Sequence, residues 1–169
     1  MFFKVFEDID VPSEPKVVNY RVAVRAVIMK GDKILLLHSN TRDYSFPGGG
    51  IEDTESHKEA LVREVREETG YIDCMIKDQI GMVIERHNDK YDDQAVFQMD
   101  SHYYICELTS DQHTTQELAP YEADLGFTPV WVSLETAIEQ NEELLHGDNQ
   151  NRWVQREHFA LKELTNILV

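Results

Sequence analysis

Two rhythms of apolar and polar residues run along this chain. From Tyr20 to Met29 valines and alanines alternate with polar residues, and Ile34 to Leu37 is an unbroken apolar run. Alternation at period two marks a strand with one buried face; a short continuous run marks a strand covered on both. Gly31-Asp32 between them fits a two-residue hairpin turn with glycine first. Met75 to Arg86 reads as another strand, with Ile80, Met82 and Ile84 alternating. Val96 to Leu108 contains a further one, with Tyr103 and Ile105 facing away from Tyr104 and Cys106. Thr128 to Val132, with Trp131, makes a short last strand. The helical rhythm comes in between. Leu61 and Val65 lie four apart on one face, behind Ser56 as N-cap, Glu59 as capping-box partner and Gly70 as the stop at C′. Ser133 opens a second helix to about Glu142, with Thr136 where a capping glutamate would ideally sit. Ala160, Leu161, Leu164 and Leu168 form the apolar stripe of a closing helix. Ser39 to Asp43, His87 to Asp93 and His146 to Asn151 are loops, and Thr109 to Gly126 is a long polar segment. Residues 1–16, with Pro12 and Pro15, are either an edge strand followed by a turn or a loose arm. There is no repeat, low-complexity tract or domain boundary, so a single domain over 1–169, mixing α and β, is expected.

Composition narrows the function classes. The 169 residues suffice for a real core, and 41% hydrophobic content is ordinary for a globular protein. The formal net charge is −16, which argues against a nucleic acid duplex as partner, because phosphate binding needs clustered Lys and Arg. An acidic protein handling a polyphosphate needs a cation as intermediary. No apolar run follows a basic start, and none is long enough to span a bilayer. The two cysteines, Cys74 and Cys106, form neither metal spacing nor a disulfide framework. They read as reduced thiols of a cytoplasmic protein.

The chemistry concentrates between Tyr44 and Tyr71. Glu64, Glu67 and Glu68 are neighbours on the last turns of the first helix. Like charges so spaced cost about 0.2–0.5 kcal/mol per pair, and the helix dipole favours cations at that end. A bound divalent cation turns the repulsion into attraction, and Mg²⁺ takes carboxylate and water oxygens. A bare run of this kind is otherwise a solvated glutamate face. The glycines in front, Gly48 to Gly50, shift the balance, since they let the backbone approach a metal or phosphate.

These residues resemble the Nudix hydrolase signature. Gly49 is followed after five residues by Glu55, and after seven more by Arg63-Glu64-Val65, with Glu67-Glu68 and Gly70 in register. Tyr71 stands where an aliphatic residue is usual. The lead-in Tyr44-x-Phe46-Pro47-Gly48-Gly49 matches as well. The resemblance implies a Nudix-type α/β/α sandwich, with a mixed β-sheet between helices. It implies a pyrophosphohydrolase that splits a nucleoside diphosphate linked to another group, by water attack on phosphorus. By resemblance Glu64, Glu67 and Glu68 hold Mg²⁺, for which Mn²⁺ can substitute, with a carbonyl of Gly48 or Gly49. Glu64 is alternatively the base. Arg63 pairs with Glu55 and fixes the loop. A further acid comes from the segment before the last strand: Glu122 first, with Glu117 and Asp124 behind it.

Other assignments follow from the residues themselves. Arg25, in an otherwise apolar strand, needs a partner or an anionic ligand; it is either a phosphate contact or an edge residue with its guanidinium in water. Tyr44 and Phe46 are candidates to flank a base, with core packing the alternative for Phe46. Trp131 and Trp153 read as core, and none of the seven histidines is a metal ligand. The expected substrate is a small nucleotide: nucleoside triphosphates, normal or oxidised, before nucleotide-sugar-like diphosphates. The proline that marks ADP-ribose enzymes is replaced by Arg86, and Tyr91 lies too far on for the dinucleoside polyphosphate mark. A homodimer stays open. The competing reading is a non-catalytic, nucleotide-binding or regulatory protein of the same fold.

Overall fold

A computed structural model describes residues 1–147 and 151–168. The middle of the loop expected from His146 to Asn151 lies outside the described residues. In chain order the elements are β1 (Phe2–Glu7), β2 (Val17–Lys30), β3 (Lys33–His38), β4 (Tyr44–Ser45), β5 (Gly48–Gly50), α1 (His57–Thr69), β6 (Cys74–Asn88), β7 (Ala95–Leu108), α2 (Pro120–Asp124), β8 (Thr128–Ser133), α3 (Leu134–His146) and α4 (Trp153–Ile167).

The sheet is mixed, in the order β1-β6-β7-β2-β3-β4, with β5 added to β2 and β8 to β3. β2 is its centre. It runs parallel to β7 and antiparallel to β3 and to the glycine strand β5. Helices cover both faces, as the α/β/α expectation requires. On one face Ala60, Leu61 and Val65 of α1 pack on Val24, Ala26, Ile28 and Leu35. On the other, Ala137 of α3 and Ala160, Leu161 and Leu164 of α4 pack on Val27, Ile34, Leu36 and Tyr103. The unbroken run in β3 is thus divided between two cores, which is why it does not alternate. Among the described residues no helix is long and apolar enough to cross a membrane.

The structure departs from the sequence pattern in places with physical causes. The N-terminal segment is an edge strand, not a loose arm: β1 pairs in parallel with β6, from Phe2 opposite Gly81 to Glu7 opposite Arg86. Ile80 does not share a face with Met82 and Ile84. Register shifts around Gln79 swing Ile80 onto the core of α3 and α4, where Val83 also packs; a bulge adds a residue and breaks the period of two. Inside the polar segment a short helix, α2, forms. Leu168 is not part of the closing stripe but caps α4 and is 37% exposed.

Candidate active site

Helix α1 is delimited as its sequence demands. The Ser56 hydroxyl accepts the Glu59 N–H at 3.1 Å, and Gly70 takes a left-handed φ of 84° and donates to the Arg66 carbonyl. Arg63 ties the helix to what precedes it. Its Nε donates to Glu55 Oε2 at 2.7 Å and its Nη2 to Glu55 Oε1 at 2.8 Å, a bidentate fork. Nη2 also donates to the Gly50 carbonyl at 3.1 Å. This hydrogen bonding holds the Glu55 carboxyl below its usual range and raises the Arg63 guanidinium. Loop, glycine strand and helix are thereby one unit.

The carboxylates of α1 divide. Glu68 is only 2% and Glu64 only 9% exposed, whereas the Glu67 side chain is 36% exposed and lies 3.3 Å from Arg63 Nη1. Glu68 Oε1 accepts the Gly48 N–H at 2.7 Å. Gly48 is required by backbone contact, and Gly49 leaves room for the Glu64 carboxyl. A Cβ on Gly49 would lie 2.5 Å from Glu64 Oε1, and one on Gly48 would lie 1.9 Å from the Val24 carbonyl oxygen. Burial, and then the charges of Glu64 and Glu122, push the Glu68 carboxyl well above its usual range. Glu64 is raised by burial, against the pull of Arg63.

Glu122 arrives from α2, whose start carries Pro120 at the first position. Its Oε1 accepts the Ala119 N–H at 2.8 Å, and it is 7% exposed. Three buried carboxylates from two distant segments thus repel one another around the glycine strand. That donor set, all oxygen and anionic, fits a hard divalent cation. Among the described residues, however, no three His, Cys, Asp or Glu side chains already converge as a cage; Arg63 Nη1 holds Glu64 at 2.9 Å.

Beside them lies a cavity of about 250 Å³ that Glu68, Glu122, Gly48, Gly49 and Arg25 all line. Arg25 is 9% exposed, and its Nε is buried without a hydrogen-bond partner. Its Nη2 donates to Met99 Sδ at 3.9 Å. Burial, and then the neighbouring Arg156, lower its pKa. Arg156 itself is neutralised by Glu85 at 2.7 Å and Glu157 at 2.8 Å.

The NUDIX domain family model matches residues 19–157. The chain belongs to the NUDIX domain family. A putative 8-oxo-dGTP diphosphatase of Bacillus subtilis is 52% identical over 40 residues, which is 24% of this chain and 25% of that protein. The matched stretch is therefore about a quarter of that relative's length. A CTP pyrophosphohydrolase of Escherichia coli is 28% identical over 127 residues, covering 68% of this chain and 93% of the relative. Among solved structures, a NUDIX hydrolase from Nitrosomonas europaea superposes with a TM-score of 0.56 at 20% identity, covering 87% of this chain and 90% of that one. At that identity the likeness concerns the fold.

Within this NUDIX domain, Glu64, Glu68, Glu122, Gly48, Gly49 and Arg25 come together, and Glu55 and Arg63 brace them. Arg25 is not an edge residue, because β2 is the central strand. Tyr44 does not line the cavity. It stacks on His38 with centroids 4.5 Å apart and bonds Asn141 through its backbone. The packing of β4 against α3 decides this, and the chain reaches the glycines only after Phe46, which is core. Glu67 points outward. Asp124 is exposed, and Glu117 pairs with Arg66 at 3.9 Å on the surface. Sequence reasoning missed Arg21, Arg156, Glu157 and Trp153 as cavity residues. A signal existed for two of them: Arg156 and Glu157 sit four residues before Ala160 and Leu161, on the buried stripe.

Proposed function

We propose that this NUDIX domain is a divalent-cation-dependent pyrophosphohydrolase of nucleotides, with nucleoside triphosphates, normal or oxidised, before nucleotide-sugar-like diphosphates. The observation that carries this is Glu68, a carboxylate 2% exposed and crowded by Glu64 and Glu122, on the wall of a cavity that also holds Arg25, whose Nε has no hydrogen-bond partner among the described residues. Such a cluster is costly unless a cation enters it. Glu64, Glu68 and Glu122, with a carbonyl of Gly48 or Gly49, would hold Mg²⁺, or Mn²⁺ in its place; Glu67 would join on leaving Arg63. When bound, the cation neutralises charge on the diphosphate and acidifies water.

The remaining work falls to the chain's own residues. Arg25 binds a phosphate oxygen, which supplies the partner its Nε lacks among the described residues. The Gly48 N–H orients Glu68. Arg63 and Glu55 keep the loop fixed on α1. A carboxylate of the cluster takes the proton of the attacking water, with Glu64 or Glu122 in that role. The relatives named for 8-oxo-dGTP and CTP hydrolysis support a nucleoside triphosphate as the first substrate to try. The non-catalytic alternative has less support, because no carboxylate of the signature is replaced. A cytoplasmic location suits the free Cys74 and Cys106.

The test is a phosphate- and pyrophosphate-release screen over a nucleotide panel. Turnover with Mg²⁺ that disappears with chelator is the expected result. Nucleotide binding without turnover at any divalent cation would favour the regulatory reading.

A further inference from the structure

The cavity also has lining residues that phosphate chemistry does not use: Phe46, Tyr121, Phe127 and Trp153. Phe46 is committed to the core, edge-on to Tyr103 at 5.3 Å between centroids. Trp153 is different. It is the first residue of α4 and is only half-buried. Its indole N–H donates to Asp43 Oδ2 at 2.8 Å. Asp43 is fully buried and also accepts from the hydroxyls of Ser39 and Thr41, each at 2.5 Å. Trp153 lines the cavity and Asp43 does not, so the N–H edge of the indole is tied back to a group outside it.

The loop behind Asp43 is built for this. Arg42 donates to the Ser39 carbonyl, Ser39 donates to the Asp43 carbonyl, and Arg42 takes a positive φ of 71°, uncommon for a residue other than glycine. Water would satisfy the N–H of a half-buried indole without a buried carboxylate. A carboxylate held by two hydroxyls fixes the ring plane as well. A fixed π-surface in the cavity that holds Arg25 matches a planar ring joined to a phosphate.

We propose that Trp153 is the surface on which the substrate's purine or pyrimidine ring stacks, and that Asp43 is the positioning residue that holds it. This rests on the nucleotide reading above and adds which wall grips the base. The protein has two tryptophans, and Trp131 bonds Tyr71 in the other core. In a Trp131→Phe protein, Trp153 emission should be quenched saturably by GMP and CMP and left unchanged by pyrophosphate. Equal responses to GMP and pyrophosphate, or none to GMP and CMP, overturn the proposal.

Kinetics give the second arm. Trp153→Leu should raise KM for the best triphosphate roughly ten- to a hundredfold, the usual size of lost base stacking, with kcat little changed. Asp43→Ala should raise KM in the same sense, and Asp43→Asn, which keeps an acceptor oxygen, should restore it. If Asp43→Ala does not fold, the quenching and the Trp153→Leu kinetics still decide. A wild-type protein that neither hydrolyses nor binds any nucleotide removes both readings. A wild-type protein that turns nucleotide over, with Trp153→Leu at unchanged KM, removes this one alone.

Discussion

Glu68 is a carboxyl whose ionisation the fold opposes in two ways at once. It is buried, and it sits beside Glu64 and Glu122. A carboxyl raised in the folded state contributes nothing below its ordinary pKa of about 4.3. It then removes stability as pH climbs from there towards the raised folded value. Glu68→Gln keeps an oxygen for the Gly48 N–H. It should therefore raise the melting temperature of the metal-free protein at pH 7 and leave it unchanged near pH 4, which paired thermal melts will read. Turnover should fall by about 10²–10³, the usual cost of one electrostatic stabiliser. Full turnover in this variant would remove Glu68 from the site. Glu55 has the opposite sign: its carboxyl is lowered by Arg63. Its contribution is present above about pH 4.3 and disappears as pH drops through the depressed folded value. Glu55→Gln should flatten the acid limb of a stability–pH curve and leave the neutral-to-alkaline slope alone.

At the scale of elements, β5 and α1 work as one part, joined by the Arg63 fork. Arg63→Ala leaves a half-buried Glu55 unpaired and should cost about 1–3 kcal/mol, read by urea denaturation, with turnover lost alongside. Arg63→Lys should recover little, because an ammonium cannot reproduce the fork. The sequence displayed this part almost completely: Ser56, the helical stop at Gly70 and the glutamate spacing act locally, and Gly49 meets Glu64 within the same segment, whereas the fit of Gly48 against Val24 of β2 is long-range. It displayed Glu122 only as one of three acids. α2 is a single short turn whose signs, Pro120 and a glutamate at its third position, stand in a polar run without apolar period. Arg25 was legible as an anomaly but not as central, because strand order depends on long-range pairing. Tyr44 was misplaced for the same reason. Its side follows from the packing of β4 against α3, which no local pattern encodes. In β6 the bulge near Gln79 defeats the alternation that defines the strand.

The whole molecule carries a formal net charge of −16, and part of that charge is packed into the cavity. Millimolar Mg²⁺ or Mn²⁺ should therefore raise the melting temperature by mass action on the folded state, and Glu68→Gln should reduce that shift. No shift in the wild type, with or without nucleotide, would count against a cation site. The sheet is closed at one end by β1, and the fit there is tight: a Cβ on Gly81 would lie 2.2 Å from the Phe2 ring. Gly81→Val should cost about 1–3 kcal/mol through overpacking. That pairing also sets an order in time. Phe2 leaves the ribosome long before Gly81, its partner across the strands, has been made. At synthesis rates of about 5–20 residues per second the wait is on the order of ten seconds. Throughout it Phe2, Phe3 and Phe6 have no partner strand to join, so the first strand to be made waits on the sixth, and three aromatic side chains stay in the open until β6 arrives.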